Sequence, residues 1–341
     1  MILEALEKIV TGEDLSRAEA EAAMEQILTG RATDAQIAGL LTALRMKGET
    51  VDELVGFASV MRRHAAPIFP NGASRPDEVL VDTCGTGGDC SGTFNVSTAA
   101  AFVVAGAGVR VAKHGNRSIS SHCGSADVLE ALAVKIDVPA ERVARAIEEI
   151  GIGFLFAPAV HTAIKHAMAA RRELRLRTVF NLLGPLTNPA GARAQVVGVF
   201  DASLTELLAR TLSELGVQRA FVVHGADGLD EITLTGETYV AELRDGAVRS
   251  YTVVPEDFGL HRASGEAFRG GDAAQNAKII REILDRRHGP HREIVQANAA
   301  AALVAAGRAS DFLEGVHLSA QAIDSGAARA KLDDLIAFTQ A

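Results

Sequence analysis

The sequence predicts an α/β protein: a small helical N-terminal domain, then a large α/β domain whose central sheet is mostly parallel with an antiparallel edge. Three observations carry that expectation. Residues 1–65 hold three successive helix-start signatures with one-sided apolar spacing. Residues 195–200 and 220–223 are continuous apolar runs flanking a helical stretch, the order of a parallel βαβ unit covered on both faces. Residues 238–243 and 247–254 are then separated by Asp245-Gly246, a turn signal for an antiparallel hairpin.

The first helices start at Ser16 with Glu19, Thr33 with Gln36 and Thr50 with Glu53. In each pair a side-chain oxygen can satisfy free N–H groups at the helix start. Ala20, Met24, Ile27 and Leu28, then Ile37, Leu40, Leu41 and Leu44, then Leu54, Phe57 and Met61 give each helix one apolar face. Gly30, Gly48 and the approach to Pro67 stop them. Helices this short are marginal alone and need packing, and a face left over suits a dimer surface. Residues 66–78, with Pro67, Pro70, Gly72 and Pro76, read as a linker and hinge before the large domain.

That domain opens with apolar runs at 79–81 and 109–112, each handing over to a polar loop. Residues 127–133 and 139–150 read as helices, with 134–138 a strand or loop between them. Residues 159–172 read as a helix that is basic on one side, through Lys165, Arg171 and Arg172. The stretch 178–189 contains Pro185 and Pro189 and is not expected to be one continuous helix. A helix at 204–215 follows, then antiparallel segments at 232–234, 238–243 and 247–254, and Ala-rich helices from about 273 to the end.

At 341 residues two domains are the natural expectation. A net charge of −9, 4% aromatic residues and no Trp argue against a polyanion partner or a base-stacking platform, so no nucleic acid is expected. The start of the chain lacks the pattern of a secretory leader and the apolar stretches are too short for a membrane span, which points to a cytoplasmic enzyme without a membrane role. Cys84, Cys90 and Cys123 are odd in number and lack a CxxC, and His161 and His166 miss the i, i+4 register. Neither a disulfide framework nor a zinc site is expected.

Two loops carry the chemistry. Gly85, Gly87 and Gly88 let backbone N–H groups converge on an anion, and the following helix adds its positive end. The spacing fits neither the P-loop nor the GxGxxG pattern, and a tight strand-to-helix turn explains it equally well alone. Asp89 beside those glycines suits a sugar phosphate, bonding a hydroxyl or supporting a cation. Asn95, Ser97 and Thr98 either cap the helix or contact phosphate and metal. In the second loop Lys113 and Arg117 supply positive charge, Asn116 a donor–acceptor pair, Gly115 close approach, and Ser118, Ser120 and Ser121 hydroxyls. His114 either touches substrate or is structural. Asp230 and Glu231 suit magnesium bridged by a diphosphate, with surface acids at a turn as the alternative; Asp227 reads as the turn residue.

Together, DTCGTGGD at 82–89, NVST at 95–98, KHGNRSISSHCGSAD at 113–127, RRELRLRTVFNLLGPLTN at 171–188 and DGLDEIT at 227–233 resemble the anthranilate phosphoribosyltransferase family over nearly the whole chain. The resemblance implies transfer of phosphoribosyl from phosphoribosyl diphosphate to the anthranilate amine, in tryptophan biosynthesis. It implies a helical domain at 1–65 joined by part of 160–190, a linker at 66–78, an α/β domain at 79–341, and a homodimer through the helical domain. It assigns Gly85, Gly88, Asp89, Thr93, Asn95, Ser97, Thr98, Lys113, His114, Gly115, Asn116, Arg117, Ser120, Ser121 and Ser125 to substrate binding. Ser97, Asp230 and Glu231 would hold Mg2+, while Asn116 and Arg171 would meet anthranilate, Arg171 through its carboxylate. No catalytic acid, base or nucleophile is implied. Ala133 and Arg175 stand where the family usually has Gly, and His122-Cys123 replaces a common Lys-Ser. Pyrimidine nucleoside phosphorylases share this architecture, but residues 181–186 and the Asp230-Glu231 pair fit the transferase better. A nucleic-acid-binding relative is opposed by the acidic balance.

Overall fold

The computed structural model describes residues 1–69, 79–89, 91–118 and 122–341; Cys90, Ser120, Ser121 and the expected linker from Pro70 to Glu78 lie outside the described residues. Four helices come first, α1 (Ile2–Val10), α2 (Arg17–Leu28), α3 (Asp34–Lys47) and α4 (Val51–His64). The last three start where the sequence signals them. Ser16 Oγ accepts from the Glu19 N–H at 3.3 Å while Glu19 Oε2 accepts from the Ser16 N–H at 2.9 Å. The Thr33–Gln36 and Thr50–Glu53 boxes repeat the reciprocal pattern. Glu53 does more than cap: fully buried, it also accepts from the Leu15 N–H at 2.9 Å and from Lys47 Nζ at 3.1 Å.

The large domain runs β1 (Leu80–Asp82), α5 (Val96–Gly106), β2 (Arg110–Gly115), α6 (Ser125–Ala131), α7 (Ala140–Glu149), β3 (Ile152–Phe156) and α8 (Ala157–Val160). After a 3-10 turn at Thr162–Ala167 come α9 (Met168–Leu174), α10 (Val179–Leu186), β4 (Ala194–Gly198), α11 (Leu204–Glu214) and β5 (Arg219–Gly225). The hairpin β6 (Thr238–Arg244) and β7 (Ala247–Val253) leads to α12 (Ala273–Leu284), α13 (Pro290–Ala305), α14 (Phe312–Asp324) and α15 (Ala327–Gln340). The seven strands form one sheet in the order β3-β2-β1-β4-β5-β6-β7, parallel from β3 to β5 and antiparallel at β6 and β7. Asp245 (φ 51°) and Gly246 (φ 82°) make the hairpin turn with two left-handed residues, which matches the twist of the strands they join.

Alternate residues of the sheet serve two cores. Val196, Phe221 and Val223 face α5 and α13, whereas Val197, Ala220 and Val222 face a core that takes in α1 to α4, α10 and α11. The helical segment therefore shares its apolar interior with one face of the sheet. Arg62 of α4 fastens that face: its Nε donates to Leu186 O at 2.8 Å and its Nη1 to Leu215 O at 2.9 Å. No helix among the described residues is long and apolar enough to cross a membrane.

Two expectations are corrected, over 159–172 and 232–234, and two others are made specific. Of the two alternatives for residues 134–138 the structure has the loop, and the strand at that edge is β3, an apolar run the sequence reading passed over. Residues 232–234 join no ladder; Ile232 and Leu234 are apolar because the core buries them. The single helix expected over 159–172 is divided between α8, the 3-10 turn and α9. The stretch 178–189 is not one continuous helix: α10 stops at Leu186, and Pro185 lies in its last turn, where the bond it forgoes is one of few.

Candidate active site

Strand β1 lies where the sheet order reverses direction: the chain crosses from it to β2 on one side, and β4 lies on the other. Ligands of open α/β sheets sit at such a switch point, beyond the carboxyl ends of the strands. A cavity of about 280 Å³ opens there. It is lined by the loop after β1, the start of α5, the loop after β2, Arg171, Phe180 and the Asp230-Glu231 pair.

The glycine loop leaves β1 with Gly87 and Gly88 at φ 63° and 82°, backbone that L side chains rarely adopt. The Thr86 N–H is anchored to Gly198 O at 2.8 Å. Gly198, unremarked in the sequence, is essential to this geometry. A Cβ there would lie 1.5 Å from Asp230 O, so only glycine lets the loop after β5 press against β4 and present Asp230 and Glu231 beside the glycine loop. At the start of α5 the Asn95 amide does not cap the helix; it donates to Cys123 O at 3.1 Å and its oxygen accepts from Asn276 Nδ2 at 3.0 Å. The Thr98 hydroxyl is buried on the cavity wall with no protein partner among the described residues. A helix N-terminus so arranged is an anion site.

Lys113 is 4% exposed and lies across the floor, with Nζ 3.0 Å from Thr83 O and 3.4 Å from Ser97 Oγ. The Ser97 N–H donates to Glu231 Oε1 at 3.0 Å. Burial, then the charges of Asp89 and Glu231, raise the Asp230 pKa well above the carboxylate range, and Asp89 hydrogen-bonds it. Burial raises Glu231 to about 7, against the opposing charge of Lys113. Asp227 holds the turn that delivers this pair, accepting from the Leu229 N–H and from the Thr233 and Thr235 hydroxyls. Asn298 of α13 fixes its exit by bonding both Ile232 N–H and C=O.

The loop after β2 divides its residues. Gly115 must be glycine, since a Cβ would meet Ser125 Oγ at 2.2 Å. Asn116 is exposed to the cavity, with its backbone oxygen bonded by Ser125 Oγ at 3.3 Å. Arg117 lines the cavity but its guanidinium is engaged by Asp127 at 3.0 Å and by Glu130 of α6. Thr93 Oγ1 bonds Ser91, which in turn bonds Asp89.

On the other wall His114 Nδ1 donates to Gly184 O at 3.0 Å. A carbonyl can only accept, so the proton is on Nδ1 and Nε2 is a bare acceptor, buried without a protein partner among the described residues. Burial and then the neighbouring His161 lower the His114 pKa to about 3, so the ring stays neutral. Ligand atoms of Asp82, Cys84 and His114 gather within 4.8 Å, yet the carboxylate already binds the His114 N–H and Asn188, tying β1 and β2 to the end of α10. Burial keeps the Cys84 thiol protonated. Arg171 of α9 lies over the Phe180 ring at 4.9 Å and has no carboxylate partner among the described residues. Sequence reasoning missed Gly198 and gave Asn276 no role; a glycine inside an otherwise apolar strand was the available signal for the first.

Residues 77–329 match the family described as "Glycosyl transferase family, a/b domain", and residues 3–65 match its "helical bundle domain". Anthranilate phosphoribosyltransferase of Solibacter usitatus is 59% identical over 339 residues, spanning 99% of this chain and 98% of the relative. The chain belongs to the anthranilate phosphoribosyltransferase family. The Moorella thermoacetica member is 56% identical over 340 residues, covering 100% of this chain and 99% of its own. Among solved structures, the Thermus thermophilus enzyme superposes with a TM-score of 0.92 at 45% identity, over 99% of both chains. The Saccharomyces cerevisiae anthranilate phosphoribosyltransferase in complex with PRPP and Mg gives 0.88 at 26% identity, over 99% of this chain and 98% of that one.

Proposed function

We propose that this site performs the family's reaction, in which the chain transfers the 5-phosphoribosyl group of phosphoribosyl diphosphate to the amine of anthranilate in tryptophan biosynthesis. A bond forms between the amine nitrogen and ribose C1, the C1–diphosphate bond breaks, and the amine releases a proton. The observation that carries the anthranilate half is Arg171, a cavity-wall guanidinium stacked on Phe180 and lacking a carboxylate among the described residues. It suits a planar aromatic acid, pairing with the carboxylate beside an aromatic face. Asn116 borders the same space, and the bare Nε2 of His114 can accept an N–H while its low basicity makes it an acceptor rather than a base.

The donor half is served by the amides of Gly85 and Gly88, by Asp89, Thr93, Asn95, Ser97 and Thr98, and by Lys113 through Arg117 with Ser125. Ser120 and Ser121, outside the described residues, belong to the same proposal through the motif that contains them. Negative charge grows on the departing diphosphate, and preorganised N–H groups, the α5 terminus and Lys113 oppose it. Burial and the nearby charge of Asp89 raise the pKa values of Asp230 and Glu231, a crowding that a cation would relieve. Ser97, Asp230 and Glu231 therefore fit Mg2+, which when bound supplies charge neutralisation for the diphosphate. The enzyme otherwise positions the neutral amine and excludes water.

Exposed Leu3 and Val10 of α1 and Met46 of α3 support a homodimer through the helical domain. Residues 66–78 would then serve as the hinge between that domain, joined by part of 160–190, and the rest.

The test follows loss of anthranilate fluorescence on adding phosphoribosyl diphosphate, with and without Mg2+. Magnesium-dependent loss is expected; no loss with folded protein rejects the reading. R171A should weaken anthranilate binding by about tenfold or more, the worth of a charge-assisted hydrogen bond, and leave phosphoribosyl diphosphate affinity nearly unchanged. Equal losses for both ligands would remove Arg171 from the anthranilate pocket.

A further inference from the structure

Between α9 and α10 the chain makes a short connector over residues 175–178, and the Arg177 side chain leaves it toward the glycine loop. Its Nη2 donates to Gly88 O. Its guanidinium also lies over the Phe200 ring at 4.5 Å, just beyond β4. Gly88 has φ 82°, and a Cβ there would meet Arg177 Nε at 3.2 Å, so the side chain is packed against the loop's backbone as well as bonded to it. The same connector leads within a few residues to Arg171 on one side and Phe180 on the other, and those two stack on each other across it. One short piece of chain thus touches the loop that faces the diphosphate and carries the wall that faces the aromatic acid.

We propose that Arg177 is a positioning residue that couples the two substrate half-sites, so that donor binding and anthranilate binding each strengthen the other through it. The proposal rests on the functional reading above. The physical chain is short. Drawing the Gly85–Asp89 backbone onto a diphosphate fixes Gly88 O, and Gly88 O fixes the guanidinium. A guanidinium held over Phe200 then sets the connector that aims Arg171 and Phe180. Coupling of this kind is reciprocal, so it can be read from either ligand. Arg177 does not line the cavity itself, which is why the effect appears in the ratio of affinities rather than in either affinity alone.

The experiment measures anthranilate binding by its own fluorescence, alone and with saturating Mg2+ and inorganic diphosphate, a pair that cannot react. In the wild-type protein the anthranilate Kd should fall by about fivefold or more on adding Mg2+ and diphosphate. In R177A the ratio should shrink to within about twofold of unity while anthranilate alone binds nearly as before. R177K keeps the charge but not the planar face, and should give an intermediate ratio. Should R177A not fold, F200L removes the stacking platform and is expected to lower the ratio in the same way. A wild-type ratio near unity, or one that survives in R177A or F200L, overturns the coupling alone. Wild-type protein that binds neither anthranilate nor diphosphate overturns the functional reading beneath it.

Discussion

At the scale of single residues the site is built on charges kept out of their ordinary states. Asp230 and Glu231 have pKa values raised chiefly by burial, Glu231 from 4.5 to about 7. A carboxylate whose pKa is raised by folding favours the folded state below its unfolded value and loses that contribution as pH climbs through the folded value. The metal-free protein is therefore expected to lose stability between about pH 4.5 and 7, and Mg2+ to restore it, releasing protons where the pair is still protonated. Calorimetric titration with MgCl2 at pH 6.5, in two buffers of different ionisation enthalpy, should count about one proton released per ion bound. A count of zero would mean that this pair is not the metal's seat. The residues of this site that the sequence made legible are those whose signal is local: the glycines after β1, Lys113 near the end of β2, the adjacent acids. Gly198 matters because the Asp230 backbone arrives beside it and Asn276 because the Asn95 side chain does, and no neighbouring residue announces either.

At the scale of elements, helix starts were legible and one strand was not, for a physical reason. A capping box is a bargain struck within four residues, so Ser16, Thr33 and Thr50 could be read directly. Ile152–Phe156 is a short apolar run, which periodicity alone does not separate from a buried helical turn. Residues 232–234 misled in the opposite sense: burial made them apolar, while Asn298 rather than a partner strand satisfies Ile232. Helix ends supply a sharper test. Ala133 follows α6 at φ 73° and Arg175 closes α9 at φ 50°, both left-handed, at the two positions where the resemblance drawn from the sequence expects glycine. The loops thus keep the shape glycine would give them, at a strain of about 1–2 kcal/mol per residue. A133G and R175G should each gain up to about 1 kcal/mol after the added freedom of the unfolded chain is set against the relieved strain. Urea midpoints measure it, and a lower midpoint for both would show that the side chains themselves hold these turns.

At the scale of the whole molecule, the boundary drawn at residue 65 separates sequence motifs more cleanly than it separates cores. Leu183, Leu186, Leu208 and Leu212 share one apolar interior with α1 to α4, and Arg62 is bonded to the carbonyls at the ends of α10 and α11. Burial lowers the Arg62 pKa to about 10, still a cation at neutral pH. One cooperative urea transition is expected by circular dichroism, with amides of α4 and of β5 exchanging in the same unfolding event. R62A, which strands two carbonyl acceptors, should cost about 2–4 kcal/mol. Two resolved transitions, or a cost below about 0.5 kcal/mol, would mean that the helices are merely docked on the sheet.

The inward placement of Lys113 has a kinetic side. With its ammonium bonded across the floor to Thr83 and Ser97, and Arg117 paired with Asp127 and Glu130, the field an incoming ligand meets first is that of a chain of net charge −9. An incoming polyanion meets repulsion before it meets the cation. Association of metal-free phosphoribosyl diphosphate should therefore quicken as ionic strength rises, because salt screens repulsion as readily as attraction. The magnesium complex, with much of its charge cancelled, should be nearly indifferent to salt. Stopped-flow mixing over about 20–200 mM KCl distinguishes the two, and a rate for the free anion that falls with salt would place the attracting charge at the mouth instead of the floor.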